Sequence, residues 1–457
     1  MSTSKAMINN LTTGNVTSQL LKFAYPFALS NLLQVTYNIV DMILVGQFIG
    51  KEGLSAVSIG SDLMSFGMLL GFGFASAGQI MISQYVGLDN KKAISRTIGT
   101  MFTFILSISI VLSFIALGSA DIMLRLLRTP AAVFSQARSY TYVSFCGLFF
   151  IFGYNCISAI LRGMGDSKRP FVFIAIASVV NFVLTLLFVA VFHLGVAGAA
   201  LATIIGQAVS FIFALIYLYK KKESFGFDFK PKSFAIEKAK LKMLARLGIP
   251  LALQNAAVMV SMLFVNSHIN SYGVVASAVT GIGNKLRSVM SIISNSIGTA
   301  GSAMIGQNLG AGKPERVKRI VNTTLLICIG AFLVISIPFI VFSKQVFMIF
   351  SSDPEVLEMA PSYMWVLTVY FLTFALMSPY KAVVNGLGHA SLGFAIGIMD
   401  GVITRIGLAV LLGITFNMGV MGFWFGSAAA GITAALIGGI YYYSGRWKKR
   451  KLLVDMK

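Results

Sequence analysis

Twelve stretches of about 20 or more mostly apolar residues recur along the chain, near 21–46, 54–86, 96–118, 139–162, 170–193 and 196–219, then 247–270, 274–309, 317–342, 361–386, 391–414 and 419–443. A run of that length lets a helix cross the hydrocarbon core of a bilayer, where only helices and closed barrels satisfy their own backbone polar groups. The rest of the composition agrees. Residues of the AVILMFWYC set make up 57% of the 457, and charged residues only 11%, against roughly 25% in soluble domains. Fifteen acidic residues are too few to help cover a water-soluble particle of this size. The sequence therefore excludes a set of soluble domains and reads as an all-α integral membrane protein with twelve spans. Several runs are longer than a perpendicular crossing needs, which predicts tilted or bent helices.

The three cysteines (Cys146, Cys156, Cys328) lie within apolar runs, without CxxC or Cys/His spacing, so neither a disulfide framework nor a zinc site of the usual kind is expected. The net charge of +21 would suit nucleic acid, but its distribution points to a membrane surface instead. With the N-terminus placed in the cytoplasm, 27 of the 36 basic residues fall on the cytoplasmic side. Five (Lys51, Arg125, Arg128, Arg138, Lys344) fall on the other side, and four lie inside spans. The positive-inside rule then sets both termini in the cytoplasm of a multi-pass cell (inner or plasma) membrane protein. The same reading makes 220–246 a basic cytoplasmic linker and 444–457 a basic cytoplasmic tail. Nucleic acid is not an expected partner, and no cleavable signal peptide is evident.

The halves flanking the linker look alike. Tyr25-Pro26-Phe-Ala-Leu matches Ile249-Pro250-Leu-Ala-Leu at an offset of 224, and Ile59-Gly60-Ser-Asp-Leu63 matches Ile282-Gly283-Asn-Lys-Leu286 at 223. Gly78 and Gln84 match Gly301 and Gln307, and Gly195-Val-Ala-Gly198 matches Gly419-Val-Met-Gly422. Two six-helix bundles, 1–219 and 247–443, follow. Six crossings per half give both the same orientation, a parallel repeat about an axis along the membrane normal. In such proteins the substrate pathway is expected between the repeats.

An ionisable group inside a span costs at least about 2.5–3.5 kcal/mol at the helix centre, so each one needs a reason. Asp41 is the sharpest case. Gln34, Tyr37, Asn38 and Asp41 form one stripe on span 1, and such a stripe must face protein or a wet cavity. Polar residues recur at helical spacing in the same half: Asn155 and Ser158, Asn181 and Thr185, Thr203 and Gln207. A carboxylate ringed by amide and hydroxyl oxygens suits a proton or a hard cation. The plainer alternative is interhelical hydrogen bonding that holds the bundle together. In the second half, Val265 stands where Asp41 would be, while Lys285, Arg287, Lys381, Asp400 and Arg405 lie within spans. These read first as an ion-pair network, and alternatively as groups that titrate during gating. Asp62 is weaker, near enough to the end of span 2 to reach water. Abundant Met and Phe suit an adaptable apolar cavity, though they fill membrane cores as well.

The Pro26…Tyr37-Asn-Ile-Val-Asp41…Val45-Gly46 run, Gly78…Ser83-Gln84, Leu161-Arg-Gly163 and Gly198-Ala-Ala-Leu-Ala-Thr203, within twelve spans and two repeats, resemble the MATE (multidrug and toxic compound extrusion) transporters over about residues 18–443. The resemblance implies secondary active export of bulky, often cationic or amphipathic compounds in exchange for protons or sodium ions. It implies that Asp41 carries the coupling cation, with Tyr37, Asn155, Asn181 and Thr203 around it. Gln34 would lie near the substrate, and Asn38, Thr185 and Gln207 would join it along the cavity. No cofactor is implied, and no metal beyond a transient sodium at Asp41. A monomer acting on small organic molecules within the bilayer is expected. Many relatives carry a second acid at the position of Thr185. A single carboxylate tilts the expectation toward protons while leaving both ions open. A flippase for lipid-linked saccharides is the alternative within transport, kept open by the cations of the second half. An intramembrane enzyme is disfavoured, because His193, His268 and His389 are scattered and lack acidic neighbours at helical spacing.

Overall fold

The computed structural model describes residues 9–453. Residues 1–8 and 454–457, the extreme ends expected in the cytoplasm, lie outside the described residues. Among the described residues there are helices and no strands. The first six spans are α1 (Val16–Phe48), α2 (Lys51–Gly87), α3 (Lys91–Leu126), α4 (Ala131–Cys146 and Leu148–Gly163), α5 (Lys168–Val191) and α6 (Gly195–Lys220). The second six are α7 (Lys238–Asn270), α8 (Val274–Gly310), α9 (Pro314–Val341), α10 (Pro354–Gly386), α11 (Ala390–Thr415) and α12 (Gly419–Tyr443). Ten are long and apolar enough to cross a membrane singly, and α4 makes eleven if its two pieces, bent by 45°, are one span. The twelfth, α8, falls short in apolar content because Asn284, Lys285, Arg287 and a series of serines lie along it. At 37 residues it equals its repeat partner α2. Each expected span thus has its helix.

Local chemistry sets the helix ends. The Asn90 side chain accepts from the Ala93 N–H at the start of α3, and Asp353 accepts from Glu355 N–H at the start of α10, with Pro354 at the first helical position. Asp166 Oδ1 accepts from the Lys168 and Arg169 N–H groups at the start of α5, at 3.1 and 3.2 Å. Neutral His389 takes the same part at α11, where Nδ1 accepts from the Leu392 N–H. In α4 the bend falls at Gly147, where a Cβ would approach Ile204 Cγ1 to 2.4 Å.

Contacts divide the chain into two compact units, Pro26–Ile249 in the first and Leu11–Tyr25 with Pro250 onward in the second. The boundaries drawn on the sequence, at 219 and 247, therefore shift. The opening turns of α1 belong with the second unit, and those of α7 with the first. Pro26 and Pro250, partners in the repeat, mark both crossings, and each interrupts the backbone ladder of its helix. In the second unit the Leu11 N–H donates to Gln307 Oε1 at 3.1 Å, Asn308 Nδ2 to Leu11 O at 3.0 Å, and Arg316 Nη1 to Gly14 O at 2.8 Å. In the first, Lys240 Nζ donates to Tyr85 OH and lies 4.2 Å from that ring's centroid.

The linker 220–246 is more than a solvated basic tether. Phe225 and Phe227 are fully buried, and Phe227 packs edge-on against Phe229 and Phe234 at 4.8 and 5.1 Å. The same cluster reaches Phe102 on α3, and the Glu237 N–H donates to Thr100 Oγ1 at 3.1 Å. Its basic residues stay near water while its aromatic residues dock on α3.

The repeat extends to packing. A Cβ on Gly60 would meet Tyr140 Cδ1 at 2.3 Å, and a Cβ on Gly283 would meet Tyr363 Cε1 at 2.0 Å. Glycine and tyrosine recur together at the offset that relates the two halves. Each unit has thus kept the same close approach of a helix to a tyrosine ring.

Candidate functional site

Asp41, 8% exposed, lies on the α1 segment that belongs to the first unit. Its Oδ1 accepts from Thr185 Oγ1 at 2.8 Å. Oδ2 accepts from Asn181 Nδ2 at 3.2 Å and from Thr203 Oγ1 at 3.3 Å. Asn181 and Thr185, one helical turn apart on α5, therefore share one face with the carboxylate, and α6 supplies Thr203. Immediately after Thr185 the backbone widens into a π-helical turn, Leu186–Val191, a distortion that recurs at functional sites.

The donors are arranged economically. Asn181 Nδ2 has two protons, and a second contact runs to Thr203 Oγ1 at 3.3 Å. The single proton of Thr203 has two acceptors in reach, Asp41 Oδ2 and its own helix's Ala199 O at 3.1 Å. Asn181 Oδ1 is buried without a hydrogen-bond partner. Among the described residues no basic side chain forms an ion pair with Asp41. Hydrogen bonds offset part of the cost of burying this charge. Without a fixed counter-charge, the site is built to gain from a proton or a small cation.

The other first-half candidates divide. Tyr37 is tied not to the carboxylate but to Gln207, whose Nε2 donates to Tyr37 OH at 3.3 Å. A cavity of about 10 Å³ lies between that pair and Asn181 and Thr203, close to the least volume that accommodates one water. Gln34 and Asn155 are half-buried and Asn38 is exposed; among the described residues none of them hydrogen-bonds to Asp41. Thr185, expected along the cavity, instead makes the shortest of the carboxylate's three bonds. Asp62 is exposed, as its place near a span end suggested.

In the second unit, Arg405 Nη2 pairs with Asp400 Oδ1 at 3.1 Å, both side chains buried. Arg405 Nη1 donates to Ser427 O at 2.8 Å and lies 3.3 Å from Ser427 Oγ, to which Tyr370 OH donates at 2.7 Å. Arg287 lies over the Tyr370 ring at 5.1 Å. Lys381 lines the same cavity as these groups but, among the described residues, forms no ion pair. Lys285 does not join them: it is exposed and lies 5.7 Å from the Phe350 ring. The expected five-membered network is thus one ion pair, two further cations on a shared cavity, and a lysine outside it. Ser427 and Tyr370 escaped the sequence reading, although Ser427 stands at the repeat position of Thr203, which the register of the two halves would have shown.

The MatE family model matches residues 26–187 and again 250–411, the two repeats at an offset of 224. The probable multidrug resistance protein YpnP of Bacillus subtilis is 30% identical over 456 residues, covering 98% of this chain and 99% of that relative. The probable multidrug resistance protein NorM of Thermotoga maritima is 22% identical over 445 residues, covering 96% of this chain and 94% of NorM. Among solved structures, the outward-facing conformation of a multidrug resistance MATE family transporter of the MOP superfamily shares the fold. Its TM-score is 0.90 at 22% identity, over 98% of this chain and 99% of that one. Two matched repeats, a relative similar from end to end and a shared helical fold lead to one conclusion: the chain is a multi-pass membrane protein of the MATE family of multidrug efflux transporters.

Proposed function

We propose that this chain exports bulky cationic or amphipathic compounds across the cell membrane in exchange for protons that bind Asp41. The observation that carries this reading is a buried carboxylate with three hydrogen-bond donors and, among the described residues, no basic partner, one donor having a second acceptor in reach. When Oδ2 takes a proton, Thr203 can turn its own proton to Ala199 O and accept from the new O–H. The network thus accommodates both protonation states without moving a helix. Proton binding shifts the balance between outward- and inward-facing states by the difference in its affinity for the two, and the cargo does the same in the opposite sense. The names of YpnP and NorM support a multidrug cargo. No cofactor takes part in this cycle, and the chain works as a monomer with both termini in the cytoplasm.

Dye efflux from proteoliposomes, with pH and sodium gradients imposed separately, tests the reading. An inward proton gradient should drive export and a sodium gradient alone should not. Asp41→Asn should abolish coupled efflux while inserting and folding normally. Export driven by sodium alone would transfer the site to that ion, and undiminished efflux by Asp41→Asn would remove Asp41 from the mechanism. Of the four second-half cations that keep the flippase alternative open, Arg287, Lys381 and Arg405 line one cavity and Lys285 lies outside it.

A further inference from the structure

The two units carry a corresponding hydrogen-bonded pair at the same repeat positions, neutral in the first and cationic in the second. Asn181 and Thr203 of the first unit correspond, in the repeat register, to Arg405 and Ser427 of the second. In both, the α5 or α11 side chain lies 3.3 Å from the hydroxyl on the following helix. Where the first pair faces an acid, Asp41, the second unit has Val265. A neutral amide serving a carboxylate has become a guanidinium with no acid at that position.

The space differs as well. Beside Asn181 and Thr203, Gln207 and Tyr37 leave a cavity of only about 10 Å³. The counterpart of Gln207 is Gly431, and beside it the second unit holds a cavity of about 350 Å³. Its charged lining is Arg287, Lys381, Asp400 and Arg405. Asp400 pairs with Arg405, and its charge also reaches Lys381. Among the described residues Lys381 has no ion pair or hydrogen bond, and Arg287 makes only a weak hydrogen bond, to Met262 Sδ at 3.2 Å. Arg405 Nε is buried without a partner. Three cations against one acid leave this membrane-embedded cavity with a net positive charge, which is costly unless an anion joins them. Aromatic and thioether side chains (Tyr370, Phe374, Met262, Met377) share the rest of the wall with amides and hydroxyls, among them Asn255, Asn284, Ser291 and Asn295, so an apolar body attached to the charge has part of the wall to pack against.

We propose that the second unit's cavity binds an amphipathic oxyanion, a phosphate or carboxylate head on an apolar body, held by Lys381 and Arg287 beside the Arg405–Asp400 pair. The head can belong to an anionic lipid or to a soluble molecule. Binding here is independent of coupling at Asp41, so it is measured at equilibrium without any gradient.

The test uses the full chain in phosphatidylcholine nanodiscs, titrated with 1-naphthyl phosphate by calorimetry. Binding should weaken about tenfold to a hundredfold in Lys381→Gln, the scale of one lost charge-assisted bond. Lys285→Gln removes the same charge from outside the cavity and should bind as the parent does. 1-Naphthylmethylammonium should not compete. If phosphatidylglycerol in the nanodisc displaces the probe in the parent and fails to in Lys381→Gln, a lipid head is the occupant. If only the soluble probe shows Lys381 dependence, the occupant is a soluble amphiphile. Equal affinity in the parent, Lys381→Gln and Lys285→Gln, or equal competition by the cation, overturns the proposal.

Discussion

Thr185 donates the shortest hydrogen bond to Asp41, and among the described residues it is the only donor to Oδ1. Thr185→Val keeps the shape and removes the donor, leaving that oxygen buried and unbonded, at a cost of about 1.5–3 kcal/mol to the charged form. Proton-driven efflux should fall roughly tenfold or more, and Thr185→Ser should restore most of it; initial dye-efflux rates at a fixed pH gradient decide the matter. Helical spacing put Asn181 and Thr185 on one face, but spacing within a helix cannot say what lies across from that face. For that reason the acid itself was legible and the choice among its neighbours was not. Asn155, expected beside Asp41, has no bond to it, while Thr185, expected elsewhere, has the best one. His389 shows the same limit outside the spans. Burial and the nearby Arg450 push its imidazole down to about 4, and its neutral Nδ1 caps α11. Because the folded value is below the unfolded one near 6.5, this contribution is full above about pH 6.5. It is lost as pH falls from there toward 4. Thermal unfolding in detergent across that window should show a decline for the parent that His389→Asn does not share. His389→Ala should lose about 1 kcal/mol at pH 7.5.

At the scale of elements, apolar runs located every span, yet the helices overrun them. The run at 96–118 predicts a shorter α3 than Lys91–Leu126, because amphipathic turns beyond the bilayer core continue the helix once packing supports them. Backbone irregularities left no mark in periodicity. The π turns at Leu186–Val191 and Leu411–Thr415 fall at matching repeat positions, whereas Met399–Thr404, which carries Asp400, has no counterpart in the first half among the described residues. That extra turn re-aims one side of α11 just before Arg405, where the units differ in charge. Close packing, in contrast, was foreshadowed by the glycines the halves share. Gly283 lies against the buried Tyr363 ring, which has no room to withdraw. Gly283→Ala should destabilise the second unit by about 1–3 kcal/mol through overpacking. Pairing it with Tyr363→Phe should recover little, since ring carbons also obstruct the new methyl. A double-mutant comparison of melting midpoints in detergent measures both.

For the whole molecule, the repeat and the charge bias are both visible in the sequence, because each is summed over many residues and tolerates local error. What they could not show is that the repeat boundary runs through helices. Pro26 and Pro250 read as matched landmarks, but only contacts reveal that the turns before each proline belong with the opposite unit. A linear cut at the basic linker misses this exchange, since loops are conspicuous in sequence and packing partners are not. Topology follows from a different physical source, the cost of moving Lys and Arg across a membrane during insertion, and so it needs a separate test. The count of 27 basic residues against five predicts opposite exposure for two positions that are both at the protein surface, Lys344 and Lys448. After Cys146→Ser removes the exposed native thiol, Lys344→Cys should react with a membrane-impermeant maleimide in intact cells. Lys448→Cys should react only after the cells are opened. The reverse pattern would invert the chain in the membrane and place the Lys220–Arg246 segment outside, where the charge rule allows few such residues. Equal reactivity at both positions in intact cells would show a mixed orientation, and with it a charge bias too weak to set the direction of transport.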